Sequence, residues 1–201
     1  NNTVSCASCH QQDAGFSDVN RFSVGFERRT TPRHSMGLAN ARYYENGRFF
    51  WDERAATLED QTLVPIQDHV EMGMDLDELV LKLQELPYYP ILFTRVFGDS
   101  LVSSERIALA LSQFVRSMVS YRSRYDIGLS TAGGTTPNTV PNFTEMENLG
   151  LQIFTDPQRG GCAGCHRGPL PVGVIAHNNG LDRVRTDLGL GAVSGNQEDN
   201  G

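Results

Sequence analysis

The chain has 201 residues, and 17 Lys and Arg against 24 Asp and Glu give it a formal net charge of −7. This acidic balance, without a lysine- or arginine-rich run, argues against a nucleic-acid partner. No apolar stretch approaches the roughly 20 residues of a membrane span. Hydrophobic residues make up 39% of the chain, which suffices for a modest core, and the length fits one large domain or two small ones.

The first element along the chain is a Cys-x-x-Cys-His pentapeptide at residues 6–10, and a second copy stands at residues 162–166. These two motifs contain all four cysteines. Their spacing is typical of c-type haem attachment, in which the thiols bond the porphyrin edge and the histidine supplies the proximal nitrogen to iron. A redox-active thiol pair or half of a zinc site is the alternative, but neither explains why a histidine follows twice. We therefore expect two covalent haem c groups, attached at Cys6, Cys9, Cys162 and Cys165 and ligated by His10 and His166.

Helical periodicity is strongest in the middle of the chain. Apolar residues recur at three- and four-residue spacings over Asp75–Leu86, with Asp75 suited to the acidic start of a helix. Pro87 opens a second helical stretch that stops at Gly98. The pattern predicts a third helix that begins after Ser103 or Ser104 and runs to about Tyr125.

Composition changes after the third helix. Residues 130–142 are rich in Gly, Thr and Pro, which is typical of a surface linker. A further helix from Thr144 or Glu145 leads into the second pentapeptide, and the Gly-, Pro- and Asn-rich chain after His166 predicts irregular loops. No segment shows sustained alternation. We predict an all-α protein with long haem-wrapping loops, a first haem domain over 1–129, a linker over 130–142 and a second haem domain over 143–201.

Several motifs lie between the two pentapeptides in a specific order. They are Pro32-Arg33, Leu38-Ala39-Asn40, Phe50-Trp51-Asp52 with Arg54-Ala55, Leu58-Glu59 with Gln61, Pro65, and Glu71-Met72-Gly73. With them the chain resembles the bacterial dihaem cytochrome c peroxidase family, which includes the enzyme that matures tryptophan tryptophylquinone. The resemblance covers nearly the whole chain. It implies two mainly helical cytochrome c-like domains, in which the second haem takes electrons from a small cytochrome c or cupredoxin and relays them to the first, where hydrogen peroxide is reduced to water.

The resemblance also implies roles for four side chains. Trp51 matches the residue between the haems, where its π system would suit electron transfer. Gln61, Pro65 and Glu71 match the peroxide pocket, with Glu71 as the acid–base group and Gln61 holding peroxide or water. Without this context, Trp51 would be interpreted as a buried aromatic residue and Glu71 as a solvated surface carboxylate.

The chain departs from the family pattern on the far side of the first haem. Classical members carry a second histidine there, and the matching position is Phe26. Because phenylalanine cannot ligate iron, we expect a five-coordinate haem that is active without reductive priming. His34 and His69 are the alternatives as distal ligand or proton donor, although the sequence favours ordinary loop residues for both.

Position 34 also bears on calcium binding. Many family members have an asparagine there that helps to hold a calcium ion between the domains. A neutral histidine is a poor ligand for a hard cation, which weakens the calcium expectation, although backbone carbonyls could contribute. The pattern gives His177 no chemical role, and we expect it to be a loop residue.

We expect this chain to be truncated at both ends. Only five residues precede Cys6, and no segment before Gly201 matches the methionine that ligates the second haem in the peroxidases. No signal peptide precedes Asn1, yet c-type attachment is normally completed outside the cytoplasm, so a periplasmic location is expected. Family members are often homodimers, and the resemblance extends that expectation to this chain.

Three functions are compatible with the sequence. The favoured one is a peroxidase. The second is long-range oxidation of a protein substrate, as in the quinone-maturing relative, for which an open first haem would also be suitable. The third is a dihaem electron-transfer cytochrome, which would have no use for Glu71 or Gln61. The sixth ligand of the second haem, Tyr in the quinone-maturing relative and Met in the peroxidases, would separate the first two.

Overall fold

The structure is a computed structural model that describes residues 3–133, 139–166, 176–178, 180, 183–184 and 186–199. These residues form helices and loops, and within them β-structure is limited to isolated bridges. The predicted all-α class is therefore confirmed. The helices are α1 (Leu58–Gln67), α2 (Leu76–Glu85), α3 (Tyr88–Phe97), α4 (Ser104–Ser117), α5 (Arg124–Thr131), α6 (Glu145–Thr155) and α7 (Gly191–Ser194).

The chain divides into two compact units. The first comprises Asn1–Ala39 and Gly47–Ser117, and the second comprises Asn40–Asn46 and Met118–Gly201. Each unit contains one pentapeptide. The domain limits predicted from composition stay a prediction, and residues 134–138 of the predicted linker lie outside the described residues.

The core of the first unit lies among α2, α3 and α4. Phe93, Val102 and Ile107 are buried at its centre, and partly buried apolar side chains of the three helices pack around them. The carboxylate of Asp75 accepts hydrogen bonds from the first backbone N–H groups of α2, and Gly98 ends α3 in the left-handed conformation with φ 90°. The first two predicted helices are confirmed at these ends.

The third predicted helix is shorter than expected. It ends at Ser117, and the expectation that it continues to about Tyr125 was wrong. Ser123 starts a separate helix instead, because its hydroxyl accepts from the backbone of Asp126 while the Asp126 carboxylate accepts from the backbone of Ser123. This reciprocal capping box stabilises a new helix start rather than a continuing helix.

Helix α1 has no counterpart among the predicted helices, because Pro65 lies inside it. Thr57 caps it by accepting from the backbone of Asp60 at 3.0 Å. Glu59 then fixes α1 against α4, since its carboxylate accepts from Arg116 Nη2 at 2.9 Å and from the Ser112 hydroxyl at 2.8 Å. The Arg116 guanidinium lowers the pKa of Glu59 to about 2. The helix that carries Gln61 and Pro65 is thus tied to the core of the first unit.

Helix α6 of the second unit leads into the second pentapeptide. Its cap, Thr144, forms a capping box with Glu147, whose carboxylate also pairs with Arg124 of α5. At the other end, the backbone N–H of Gly160 donates to the carbonyl of Ile153 at 3.1 Å. A Cβ at position 160 would lie 2.3 Å from that carbonyl oxygen, so only glycine permits this close return of the chain toward the cysteines.

Candidate haem sites and peroxide site

The first pentapeptide folds into a single tight turn. Cys6–Ser8 form a short 3-10 helix, and the backbone N–H groups of Cys9 and His10 both donate to the carbonyl of Cys6, at 3.2 and 2.9 Å. The Ser35 hydroxyl donates to the Cys9 carbonyl at 2.8 Å and anchors the turn to a distant loop. One helical turn therefore holds the two thiols and the histidine together.

The His10 imidazole is oriented by a backbone carbonyl. Its Nδ1 lies 2.9 Å from the carbonyl oxygen of Phe16. Because a carbonyl only accepts, Nδ1 carries the proton and the lone pair of Nε2 is left for a metal. The reversal between the bridged residues Gln11 and Ser17 presents this carbonyl, with Phe16 itself at φ 61°. This tautomer is the one that a proximal haem ligand requires.

The second pentapeptide repeats the same turn. The N–H groups of Cys165 and His166 donate to the Cys162 carbonyl at 3.2 and 2.9 Å, as in the first motif. The turn begins at Gly161, whose φ of 64° favours glycine. The Phe154 ring of α6 lies 6.3 Å from the His166 ring, centroid to centroid. The two motifs thus share one backbone geometry.

The chemistry of these residues fits covalent haem. All four cysteines are free of disulfides, and Cys6, Cys162 and Cys165 are exposed. Cys9 is partly buried, and burial raises the pKa of its thiol. Thiols next to a histidine are the groups that thioether attachment and iron ligation need, and at the first motif the tautomer of His10 also fits iron ligation.

The predicted acid–base residue, Glu71, lies in a loop organised by Asp68. The backbone carbonyl of Asp68 accepts from Glu71, Met72 and Gly73 at 2.8 to 3.1 Å. Its carboxylate accepts from the backbone of Val70 at 2.7 Å and of Glu71 at 3.2 Å. This loop directly follows α1 and fixes the backbone of Glu71.

The surroundings of Glu71 favour its neutral form. The side chain is partly buried. Burial raises its pKa, the nearby charge of Asp68 raises it further, and the cation of Arg54 opposes both. Burial is the main cause of the raised pKa of the Cys9 thiol, and the charges of Asp18 and Glu71 raise it further. A carboxyl with a raised pKa is suited to proton transfer near neutral pH.

Gln61 and Pro65 lie one turn apart on α1, at the i and i+4 spacing that shares a helix face. The N–H of Met74 donates to the Ile66 carbonyl at 2.9 Å, which returns the end of the Glu71 loop to this helix. Among the described residues, no hydrogen bond joins the Gln61 and Glu71 side chains. The structure therefore connects the three residues through the backbone.

Phe26 packs against the Glu71 loop. Its N–H lies 2.9 Å from the carbonyl oxygens of both Val70 and Glu71. Its ring covers Gly73, where an added Cβ would lie 2.4 Å from the Phe26 Cδ1 atom. The residue at the position of the classical distal histidine thus lies beside the predicted acid–base group.

Trp51 is more than half exposed, at 54%, so the interpretation as a buried aromatic residue is wrong. Its Nε1 donates to the backbone carbonyl of His34 at 2.9 Å. The Asp52 carboxylate beside it is buried and pairs with Arg33 and Arg54. The indole is therefore held at the surface of the first unit by a hydrogen bond, not by burial among apolar side chains.

The remaining histidines lie in loops. The ring of His34 has Nε2 at 2.8 Å from the Ser17 hydroxyl and Nδ1 at 3.1 Å from the Asn20 carbonyl oxygen. His69 and His177 are exposed. In the described part of the chain, no cluster of three or more His, Cys, Asp or Glu residues is arranged around a common metal position.

The sequence of the chain matches a known family. A family model described as di-haem cytochrome c peroxidase matches residues 1–132. The chain belongs to this family. The di-haem description agrees with the two pentapeptides of this chain. The matched residues include the first haem motif and Trp51, Gln61, Pro65 and Glu71.

Individual relatives cover most of this chain. The methylamine utilization protein MauG of Methylophilus methylotrophus is 33% identical over 189 residues, which span 94% of this chain and 53% of that protein. The cytochrome c peroxidase Ccp of Escherichia coli K12 is 29% identical, over 98% of this chain and 41% of that protein. A solved MauG-like protein associated with microbial copper homeostasis has a TM-score of 0.81 at 27% identity, over 99% of this chain and 61% of that chain.

The chain spans about half the length of the curated relatives that it matches. Among the described residues, no helix combines the length and the apolar character needed to cross a membrane.

Sequence reasoning missed the residues that position the site. Asp68 and Arg54 were given no role, and the Phe16 carbonyl has no sequence signal. Asp68 offered one signal, because an aspartate just after a helix often accepts from the backbone two residues further on. Arg54 acts through contacts with Asp52 and Phe50 that depend on the folded turn.

Proposed function

We propose that the protein is a peroxidase that reduces hydrogen peroxide to water. A small cytochrome c or cupredoxin would supply the electrons. His166 would hold the haem at which they enter, and His10 would hold the haem at which peroxide is reduced. The position of Glu71 carries this proposal, because its side chain is partly buried and its backbone is held by Asp68 beside Phe26. Curated relatives named cytochrome c peroxidase and cytochrome c551 peroxidase support the same chemistry.

The reaction needs two electrons and two protons for each peroxide, and yields two waters. When bound, the haems would supply the electrons and the iron that receives peroxide. Glu71 would accept the proton of the nearer peroxide oxygen and return it to the departing oxygen, which then leaves as water. Gln61 would orient peroxide by hydrogen bonds, and Pro65 would line the same pocket. Trp51 would lie on the electron route.

Covalent attachment of both haems belongs to this proposal. It would join Cys6 and Cys9 to one porphyrin and Cys162 and Cys165 to the other. Since such attachment is normally completed after export, we expect the protein in the periplasm, where its donor would also be found.

Long-range oxidation of a protein substrate is the second candidate. It is favoured by the 33% identity to MauG and by the TM-score of 0.81 to a MauG-like structure. Phe26 is compatible with both candidates. The sixth ligand of the second haem would distinguish them.

Stopped-flow reduction of peroxide by the haem-loaded protein, with a reduced small cytochrome c as donor, tests the leading proposal. Glu71→Gln should lower the rate of peroxide reduction about 10²- to 10⁴-fold with the haem spectra unchanged. The matched control is Glu78→Gln on the exposed face of α2, which should keep the wild-type rate. Unchanged turnover in Glu71→Gln would contradict the role of Glu71, and a wild-type protein without peroxide turnover would favour a simple electron-transfer cytochrome.

A further inference from the structure

Two adjacent residues, His34 and Ser35, connect Trp51 to the first haem attachment. The backbone carbonyl of His34 accepts from the Trp51 indole N–H at 2.9 Å. The Ser35 hydroxyl donates to the backbone carbonyl of Cys9, in the first pentapeptide, at 2.8 Å. The indole is therefore joined to the haem turn by hydrogen bonds from a single short segment, and its position depends on how firmly that segment is held.

The Ser17 hydroxyl holds this segment at two points. Its oxygen lies 2.7 Å from the Ser35 carbonyl oxygen and 2.8 Å from Nε2 of the His34 ring. Because a carbonyl only accepts, the hydroxyl must donate its single proton to Ser35. The contact with the ring then requires that Nε2 of His34 carries a proton and donates it to the hydroxyl oxygen.

The other nitrogen of the His34 ring faces two carbonyl oxygens. Nδ1 lies 3.1 Å from the carbonyl oxygen of Asn20 and 3.2 Å from that of Arg21. Both oxygens accept only, so Nδ1 must carry a proton as well. All contacts of the ring are satisfied together only in the imidazolium form, in which both nitrogens are protonated. In this form neither nitrogen has a lone pair for iron.

Charged groups nearby agree with a cation at His34. The Asp18 carboxylate is buried, and it accepts from the backbone N–H of Asn20 at 2.8 Å. That hydrogen bond is the main cause of the lowered pKa of Asp18, and the positive charge of His34 contributes to it. Asn20 thus bonds both an anion and the imidazole. Neighbouring charges are engaged elsewhere, namely Arg21 over Phe22, and Asp52 with Arg33 and Arg54.

We propose that His34, as an imidazolium, is a positioning residue for Trp51. Hydrogen bonds from both ring nitrogens fix the residue whose own backbone carbonyl receives the indole N–H. Loss of one ring proton to solvent would leave a nitrogen lone pair against an oxygen, so deprotonation would loosen the segment and weaken the bond to Trp51. This inference rests on the proposed peroxidase function, in which Trp51 lies on the electron route.

The indole hydrogen bond is measured by ultraviolet resonance Raman spectroscopy of the full-length, haem-loaded protein, in which an indole band shifts with N–H bonding. Trp51→Phe assigns the band. In the wild type it should report a bonded indole at about pH 5.5 and a weaker bond at about pH 8.5, because histidine loses its proton in this range. His34→Gln should show the weaker bond at both pH values. The matched control is His177→Gln, an exposed histidine, which should behave as the wild type does.

A second variant keeps the imidazole and removes its partner. Ser17→Ala deletes the hydroxyl that joins the His34 ring to the Ser35 carbonyl, so the indole band should shift toward that of His34→Gln. This variant remains informative if His34→Gln does not fold. Nitrogen NMR of the reduced, carbon monoxide-saturated wild type, with His34 assigned by difference, should show two protonated ring nitrogens at about pH 5.5.

Three results would overturn the inference. They are a neutral His34 ring at about pH 5.5, a wild-type indole band that does not change with pH, and a wild-type band in His34→Gln. Failure of the proposed function is distinguishable, because both spectroscopic measurements need no peroxide turnover. If both proposals hold, His34→Gln should also slow peroxide reduction, by up to about 10²-fold, whereas His177→Gln should keep the wild-type rate.

Discussion

Glu59 and Arg116 form a two-point ion pair between α1 and α4, with each carboxylate oxygen facing its own guanidinium nitrogen. Both side chains are about 30% exposed, and the Ser112 hydroxyl completes the arrangement. This paired geometry is stronger than a single surface contact and fixes the direction of α1. The helix that carries Gln61 and Pro65 thus owes its position to residues outside the site.

Loss of this pair should destabilise the protein. Arg116→Ala leaves the Glu59 carboxylate with one partner, and we expect the free energy of unfolding to fall by about 1–2 kcal/mol. Urea unfolding followed by circular dichroism measures this change. Arg29→Ala, which removes a pair with Glu27 whose side chains are about half exposed, is the control and should leave the midpoint unchanged. Equal effects of the two substitutions would contradict the proposed clamp.

The pair of Glu59 and Arg116 also predicts how the free energy of unfolding depends on pH. The pKa of Glu59 is lowered from 4.5 to about 2 in the folded protein, so its stabilising contribution is complete above about pH 4.5. It is lost as the pH falls toward about 2, because the unfolded chain binds the proton first. Unfolding free energies at pH 6 and pH 3 should differ less in Glu59→Gln than in the wild type. Glu85→Gln, an exposed substitution on α2, should behave as the wild type does.

The close contact of Phe26 with Gly73 predicts an effect of a single methyl group. Gly73 has a φ of 55°, and an added Cβ would lie 2.4 Å from the Phe26 ring. Gly73→Ala should therefore destabilise the protein by about 2 kcal/mol and displace Phe26. Gly150→Ala, in helix α6 with open space around it, should instead stabilise by about 0.5–1 kcal/mol. Thermal unfolding of both variants tests this contrast, which would be lost if both changed stability in the same direction.

Phe26 also makes a spectroscopic prediction. If the first haem is five-coordinate because residue 26 cannot ligate iron, the ferric protein should give a high-spin signal from that haem in electron paramagnetic resonance. Phe26→His should convert part of this signal to low spin and slow peroxide reduction until the protein is reduced. Phe26→Leu is the control and should stay high spin. A fully low-spin wild-type protein would reject the hypothesis.

The sequence predicted those elements that depend on neighbouring residues. The spacing of apolar residues and a capping Asp75 were sufficient for α2, and Gly98 marked the end of α3. Helix α1 was missed because Pro65 weighs against a helix locally, whereas the clamp from Glu59 to Arg116 joins residues far apart in sequence. The end of α4 was misjudged although Ser123 and Asp126 have the spacing of a capping box.

The residues of the candidate site also fall into two groups, those that the local sequence predicts and those that depend on distant contacts. The spacing of Cys and His in the pentapeptides is sufficient to predict haem attachment, and their two turns have matching backbone hydrogen bonds. The contacts of Trp51 with His34, and of Arg54 with Asp52 and Phe50, depend on a strained reversal that no local pattern specifies. Charge effects on Glu71 are equally non-local, since burial and Asp68 raise the pKa of its carboxyl while the cation of Arg54, in a separate loop, lowers it.

The loop built around Asp68 determines when the backbone that bears Glu71 becomes ordered. Four successive N–H groups, from Val70 to Gly73, already point at one aspartate in the folded chain. The conformational entropy of the backbone that bears Glu71 is therefore lost during folding, once, and not at every encounter with peroxide. Each new peroxide molecule would meet a backbone already held in place, so the reaction would begin with its proton acceptor anchored.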